Sequence, residues 1–266
     1  MKDAPGILAR IVDTKVKEVR HRKSQVPLVE LEAKVADLPP TRGFVRAMSA
    51  RASQSRPAVI AEVKKASPSR GVIRADFRPV EIARAYERGG ASCLSVLTDE
   101  TYFQGNDSYL VDARAACTLP VLRKDFTIDR YQLYEARALG ADCVLLIAAI
   151  LEAGELADLY AAATEIGLDV LLEVHNAQEL ADCLTLGPSM LGINNRDLST
   201  FETNLATTWE LSASVPRDCL VVTESGIHTA EDVASMTSRG IYSFLVGEAF
   251  MKADEPGEAL RVLFGT

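Results

Sequence analysis

The chain is poor in the residues from which metal sites and disulfide frameworks are built. Its three histidines, His21, His175 and His228, stand apart from one another. Its five cysteines, Cys93, Cys117, Cys143, Cys183 and Cys219, are scattered, odd in number and form no CxxC. That pattern argues against a structural zinc site or a disulfide scaffold and reads as small buried apolar side chains. No apolar run approaches the roughly 20 residues of a membrane helix. The longest uncharged one lies around 144–151. The start, MKDAPGILARIVDTK, lacks the apolar core of a secretory signal, so a cytoplasmic protein is expected. Positive charge is also in deficit: 29 Lys and Arg against 37 Asp and Glu give a net charge of −8. Binding to nucleic acid through phosphate contacts is therefore not expected, although a local basic pocket can still hold a small anion. No low-complexity tail is present.

What the chain does have is repetition. Of its 266 residues, 48% are hydrophobic, ample for a large core. Short apolar runs begin at Ala58, Cys93, Val121, Cys143, Asp169, Leu191, Leu220 and Ser243. Each start lies one strand, one helix and two loops after the last. Between them run helical patterns with stop signals: 80–88 behind Pro79 and before Gly89-Gly90, 131–139 behind Asp129 and before Gly140, and 152–166 before Gly167. Thr229, with Asp232 three residues on, is an imperfect capping box for the helix after the seventh run. Eight such units are the count of a (β/α)8 TIM barrel. A doubly wound sheet is the competitor, but no GxGxxG follows the first run. Residues 1–57 precede the first strand and carry helical patterns at 6–23, 28–36 and 43–48. They read as an N-terminal helical extension of a single domain spanning 1–266.

The ends of the apolar runs are charged. In AVIAEVKK, Glu62 and Lys64 are two apart and face the same side. Lys124 ends the third run, Glu173 the fifth and Glu224 the seventh, while Asn194 and Arg196 share parity after the sixth. Any one of these can be a solvated surface charge. Together, at the catalytic face of a barrel, they form a candidate active site, with a structural ring of ion pairs as the alternative. Ser225-Gly226 after the seventh run and Gly247-Glu248 after the eighth stand where barrels bind phosphate, although such glycines also make ordinary turns.

The motifs IAEVKKASPSRG (60–71), SVLTDETYFQG (95–105), LRKDFTID (122–129), LLEVHN (171–176), GINNRDL (192–198), ESGI (224–227) and LVGEAFM (245–251) resemble those of indole-3-glycerol phosphate synthase. The resemblance covers essentially the whole chain. It implies ring closure, decarboxylation and dehydration of 1-(2-carboxyphenylamino)-1-deoxyribulose 5-phosphate, without metal or organic cofactor. It assigns Lys124 as general acid, Glu173 as base, and Lys64 with Glu62 to the departure of hydroxide. The acid roles of Lys64 and Lys124 are exchangeable on sequence grounds. By the same resemblance, Ser67 and the amides around Gly226, Gly247 and Glu248 bind phosphate. Arg196 and Asn194, with Ser225 and Glu224 near, hold the carboxylate and hydroxyl side. Pro68, Phe103, Phe126 and Leu198 are candidates for the aromatic slot, or ordinary packing. The Glu248 carboxylate would repel a phosphate, so only its amide is expected to face one.

Two rivals are weighed: another phosphosugar barrel enzyme, such as an isomerase or aldolase, and a non-catalytic phosphometabolite-binding barrel. A monomer or weak homodimer is expected. The apolar face of the first helix must be buried. Residues 1–40 are expected over or beside the barrel mouth, with Ile7, Leu8 and Ile11 in contact, the alternative being a cap on the barrel bottom.

Overall fold

The computed structural model describes residues 6–198 and 200–265. Eight parallel strands close into a barrel: β1 (Ala58–Val63), β2 (Cys93–Leu97), β3 (Val121–Lys124), β4 (Cys143–Ile147), β5 (Asp169–Val174), β6 (Met190–Asn194), β7 (Leu220–Glu224) and β8 (Ser243–Val246). β1 closes the ring by pairing with both neighbours, Ile60 opposite Cys93 and Ala58 opposite Ser243. Seven strands begin where their apolar runs begin, and the sixth begins one residue earlier, at Met190. β1, β2, β4 and β6 are buried throughout, as strands covered on one face by helices and on the other by the barrel interior must be.

The helix signals act as local chemistry predicts. Pro79 occupies the first turn of Pro79–Arg88. Asp129 caps Arg130–Leu139, accepting the Tyr131 amide, and Gly140 ends that helix at φ 96°, a left-handed conformation that glycine takes without a Cβ clash. Thr229 and Asp232 close a reciprocal box. The helix expected at 152–166 is Ala153–Glu165, and that expected at 43–48 runs on as Phe44–Ala52. The apolar pattern ends at Met48, but Ala50, Arg51 and Ala52 are good helix formers and carry the helix to Ser53. A two-residue hairpin, Ala66–Ser67 with Gly71–Val72, follows β1 and is too short to leave a periodic signal.

The extension holds three helices: α1 (Ile7–Gln25), α2 (Leu28–Ala36) and α3 (Phe44–Ala52). The first turns of α1 lie at the barrel mouth. α2 runs down the side, where Val19 and Leu31 pack with Tyr131 and Tyr134. α3 covers the opposite end: the Val45 amide donates to Asp169 at 3.0 Å and the Arg42 amide to Asp142 at 2.8 Å, both beside strand starts. The two positions considered for the extension are thus both filled, by different helices; among the described residues of 1–40, those that line the mouth belong to α1, and residues 1–5 lie outside the described residues. All five cysteines are buried. Among the described residues no helix is long and apolar enough to cross a membrane.

Candidate active site

At the C-terminal end of the barrel, one cavity is lined by every side chain singled out from the sequence. β1 supplies Glu62 and, just beyond it, Lys64; β3 ends on Lys124; β5 carries Glu173; β6 ends on Asn194; β7 ends on Glu224. The parallel register sets Asn194 opposite Glu224 and Ile147 opposite Glu173. The period-two alternation that buries the barrel interior therefore also delivers these polar side chains to one layer.

Lys124 is the hub. Its Nζ lies 3.1 Å from Glu224 Oε2 and 3.4 Å from Glu173 Oε2. Burial works against the ammonium charge, but Glu224, Glu173 and Glu62 outweigh it and lift the lysine above its usual range. The lysine thus enters any reaction as a proton donor. The two glutamates diverge. Glu173 also receives Asn194 Nδ2 at 3.2 Å and faces His175 Nε2 at 3.3 Å. Against its burial, Lys124, His175 and Asn194 hold its carboxyl well below the usual range. Among the described residues, Glu224 has Lys124 alone as a side-chain partner, and its Oε1 is buried without a hydrogen-bond partner. Burial, with Glu173 and Glu62 nearby, pushes it up to about 7.

Glu62 and Lys64 meet as their shared parity requires, with Nζ 2.5 Å from Oε1. Burial opposes the Glu62 charge, but Lys64 and Lys124 keep its carboxyl low. Two glycines make room for these acids. A Cβ on Gly247 would stand 2.5 Å from Glu62 Oε1, and one on Gly192 would collide with Glu224 Oε1. Gly247, singled out as a phosphate-facing turn, therefore has a packing role that the sequence did not suggest.

Beyond β7, Ser225 and Gly226 both carry positive φ, 63° and 87°. Ser225 is held in this unfavourable region by donating to Asn194 Oδ1 at 2.9 Å, while Asn195 Nδ2 donates to its carbonyl at 3.0 Å. The backbone amide of Arg196 donates to the same Asn194 oxygen. Asn194 thus ties the loops after β6 and β7 to Glu173.

Glu248 does more than offer an amide. Its carboxylate sits 2.6 Å from Lys252, 3.2 Å from Arg70 and 3.7 Å from Arg196. Arg196, expected to be free for a substrate carboxylate, is thereby partly engaged. Ser67 lies in the hairpin after β1, beside Pro68 on the cavity wall. Phe103 and Phe126 stand with ring centres 6.0 Å apart at 42° and line the cavity together with Leu198 and with Ile7, Leu8 and Ile11 of α1.

Three features went unread in the sequence. Lys15 lies within the apolar stripe of α1 and is 1% exposed, 2.8 Å from Asp125 and 3.2 Å from Asp99. A charge inside an apolar stripe was the available signal. His175 shares parity with Glu173 one step beyond it, a signal also present. Phe201 lines the cavity at φ 62° from an irregular loop, where no periodicity marks it.

The family model described as indole-3-glycerol phosphate synthase matches residues 8–263. Among solved structures, KGPDC from Streptococcus mutans aligns with TM-score 0.60 and 10% identity, over 78% of this chain and 95% of that one. The N-acetylmannosamine-6-phosphate 2-epimerase from Clostridium perfringens aligns with TM-score 0.59 and 15% identity, over 79% and 93%. At those identities the two structures speak to the fold alone.

Proposed function

The chain belongs to the indole-3-glycerol phosphate synthase family, carboxy-lyases of tryptophan biosynthesis, and from that premise we propose how its own residues carry the reaction. The substrate bears a phosphate, an open ribulose chain and a carboxylated aromatic ring. Lys124 donates a proton to the ketone oxygen while the ring carbon bearing the carboxylate attacks the carbonyl carbon. Carbon dioxide then leaves and the ring electrons are restored. Lys64, aimed by Glu62, protonates the new hydroxyl so that it departs as water. Glu173 takes the proton from the neighbouring methylene and completes the indole. Two protons are given and one is taken, so each turnover draws one from solvent.

The observation that carries this reading is Lys124 seated between two carboxylates of opposite behaviour, Glu173 held ionised and Glu224 held near neutrality. Acid and base thus coexist in one buried layer. A charged lysine at a developing oxyanion also supplies electrostatic stabilisation, usually the largest catalytic contribution. The phosphate is assigned to Ser67 and the amides at Gly226, Gly247 and Glu248, the usual position in such barrels. The carboxylate is assigned to Arg196, released from Glu248. The aromatic ring is assigned to the slot of Phe103, Phe126, Leu198 and Pro68, roofed by α1.

Residues 1–57 and the barrel act as one unit in this reading, in a monomer or weak homodimer that binds neither nucleic acid nor membrane. A reducing cytoplasmic setting suits five buried thiols. The decisive experiment adds the anthranilate-linked ribulose phosphate and follows indole fluorescence together with carbon dioxide release. Both signals rising in equal amounts is the expected result. Binding without either would leave a phosphometabolite-binding barrel.

A further inference from the structure

His175 stands directly behind the proposed base. It follows β5, and its Nε2 lies 3.3 Å from Glu173 Oε1, close enough for an ion pair but not aligned as a hydrogen bond. Its Nδ1 lies 3.1 Å from Glu179 Oε2, and the same oxygen accepts the His175 backbone amide at 2.8 Å. Glu179 is itself fixed. It sits in the first turn of the helix Ala177–Leu184, its amide donates to the Asn176 cap and its Oε1 accepts Asn176 Nδ2 at 2.7 Å. Negative charge is favoured at a helix N-terminus. Both ring nitrogens of His175 therefore face carboxylates, an arrangement that only the imidazolium satisfies.

The proposed chemistry gives this cation a purpose. While Lys124 is charged, Glu173 has two cations beside it. Once Lys124 has given its proton to the ketone, Glu173 faces burial and the nearby Glu62 and Glu224 with one cation fewer. A glutamate left so would be pushed upward and would hold a proton instead of a charge. We propose that His175, clamped by Glu179, is a positioning residue that keeps Glu173 ionised and aimed through the stage in which Lys124 is neutral. The proposal rests on Glu173 being the base. Burial alone would lower the His175 value, but Glu173 and Glu179 together push it up to about 10, so it remains charged across the working range.

The groups that set this balance come from every surrounding element: Lys124 on β3, Asn194 on β6, Glu224 on β7, Glu62 on β1 and Glu179 on the helix behind. Removing the His175 charge shifts Glu173 upward at the stage when Lys124 is neutral, so the acid limb of the kcat profile moves to higher pH. His175→Gln keeps a polar side chain without the charge and should move that limb up by about one pH unit or more, with KM nearly unchanged. His175→Arg restores a cation and should move it back.

The test has two arms on the full chain. In the first, the ring of His175 is titrated by nuclear magnetic resonance in wild type, Glu173→Gln and Glu179→Gln. A wild-type ring protonated through pH 9, with its titration lowered in each variant, is expected. A ring titrating near 6.5 overturns the proposal whatever the activity does. In the second, pH–rate profiles are recorded for His175→Gln and His175→Arg, with circular dichroism confirming the fold. An acid limb that stays in place in folded His175→Gln overturns it. If His175→Gln does not fold, the Glu179→Gln profile replaces it, and its acid limb must move in the same direction. A wild-type rate in Glu173→Gln overturns the base assignment and this role with it. That failure is recognised because the high titration of the ring survives.

Discussion

Lys15, on a helix that belongs to no βα unit of the barrel, places its Nζ 2.8 Å from Asp125, the residue that follows Lys124 in the chain. The same ammonium reaches Asp99 at 3.2 Å. Asp99 in turn caps the short helix Glu100–Phe103, accepting the amides of Tyr102 and Phe103. One buried charge therefore fastens α1, the loop that carries Phe103 and the end of β3. A second cluster repeats the arrangement: Arg22 of α1 and Arg123 of β3 share Asp107 and Glu135. The extension is held to the catalytic end by ionic contacts that cannot form in water at comparable strength.

Replacing Lys124 by alanine should reduce turnover by about 10²- to 10⁴-fold or more, because donor and oxyanion partner disappear together. The fold should survive, since the site lies at the barrel rim. Indole fluorescence under saturating substrate measures the loss. A rate above half that of wild type would remove Lys124 from the mechanism.

Glu173→Gln should lower kcat far more than it raises KM. The amide keeps the shape but accepts no proton from the intermediate. A loss confined to KM would make Glu173 a binding group.

Glu224 makes stability depend on pH in a particular direction. Folded, it holds its proton to about pH 7, whereas an unfolded glutamate releases its proton near about 4.3. Between those values the folded state binds the additional proton. The stabilisation is complete below the unfolded value and is lost as pH rises through the folded one, by up to about 1.4 kcal/mol per pH unit. Glu224→Gln removes this slope, so its melting temperature relative to wild type should rise from pH 5 to pH 8. Parallel pH curves for the two proteins would count against the shift.

Gly247 separates two explanations of one residue. Inorganic phosphate should compete with substrate, and Gly247→Asp should weaken that competition by placing a Cβ and a negative charge at the loop. Gly247→Ala adds no charge, but its Cβ would still meet Glu62 at 2.5 Å. The alanine variant should therefore lose turnover through displaced Glu62 and Lys64 while keeping more of its phosphate inhibition than the aspartate variant. Unchanged inhibition in Gly247→Asp would put the phosphate elsewhere.

The barrel was legible because its signal is repeated. Eight apolar runs, each a βα unit's length after the last, with Pro79, Asp129, Gly140 and Thr229 as punctuation, leave few other folds. The cavity-lining side chains were legible for a related reason: strand parity puts Glu62 with Lys64 and Asn194 with Arg196, and Lys124, Glu173 and Glu224 stand at the ends of their apolar runs. What stayed hidden depends on distance between segments far apart in the chain. Nothing in the neighbourhood of Gly192 announces that Glu224 fills the space its missing Cβ leaves. Nothing near Glu248 announces Arg70, since that contact depends on where the hairpin after β1 folds. The division of the extension between the mouth and the opposite end was hidden too, because an apolar stripe states that a face is buried but not against what.

Lys15 offers the sharpest test of the extension's role. Lys15→Met keeps the length and the apolar contacts of α1 but removes the cation between Asp99 and Asp125. Breaking a buried pair by deleting one partner costs about 3 to 5 kcal/mol, since the remaining carboxylates lose their counter-charge. Part of that cost falls on global stability and is read as a lower melting temperature. The rest falls on the docking of α1, whose Ile7, Leu8 and Ile11 line the cavity together with Phe103, Phe126 and Leu198. KM should therefore rise more than kcat falls. Deleting residues 1–25 removes the whole helix and should raise KM at least as far, while circular dichroism still reports a folded α/β protein. Leu8→Ala supplies the control: it thins the roof without touching the ion cluster, and should raise KM with a smaller loss of stability. A folded Lys15→Met protein with wild-type KM and melting temperature would show that the charge cluster neither holds the helix in place nor stabilises the barrel.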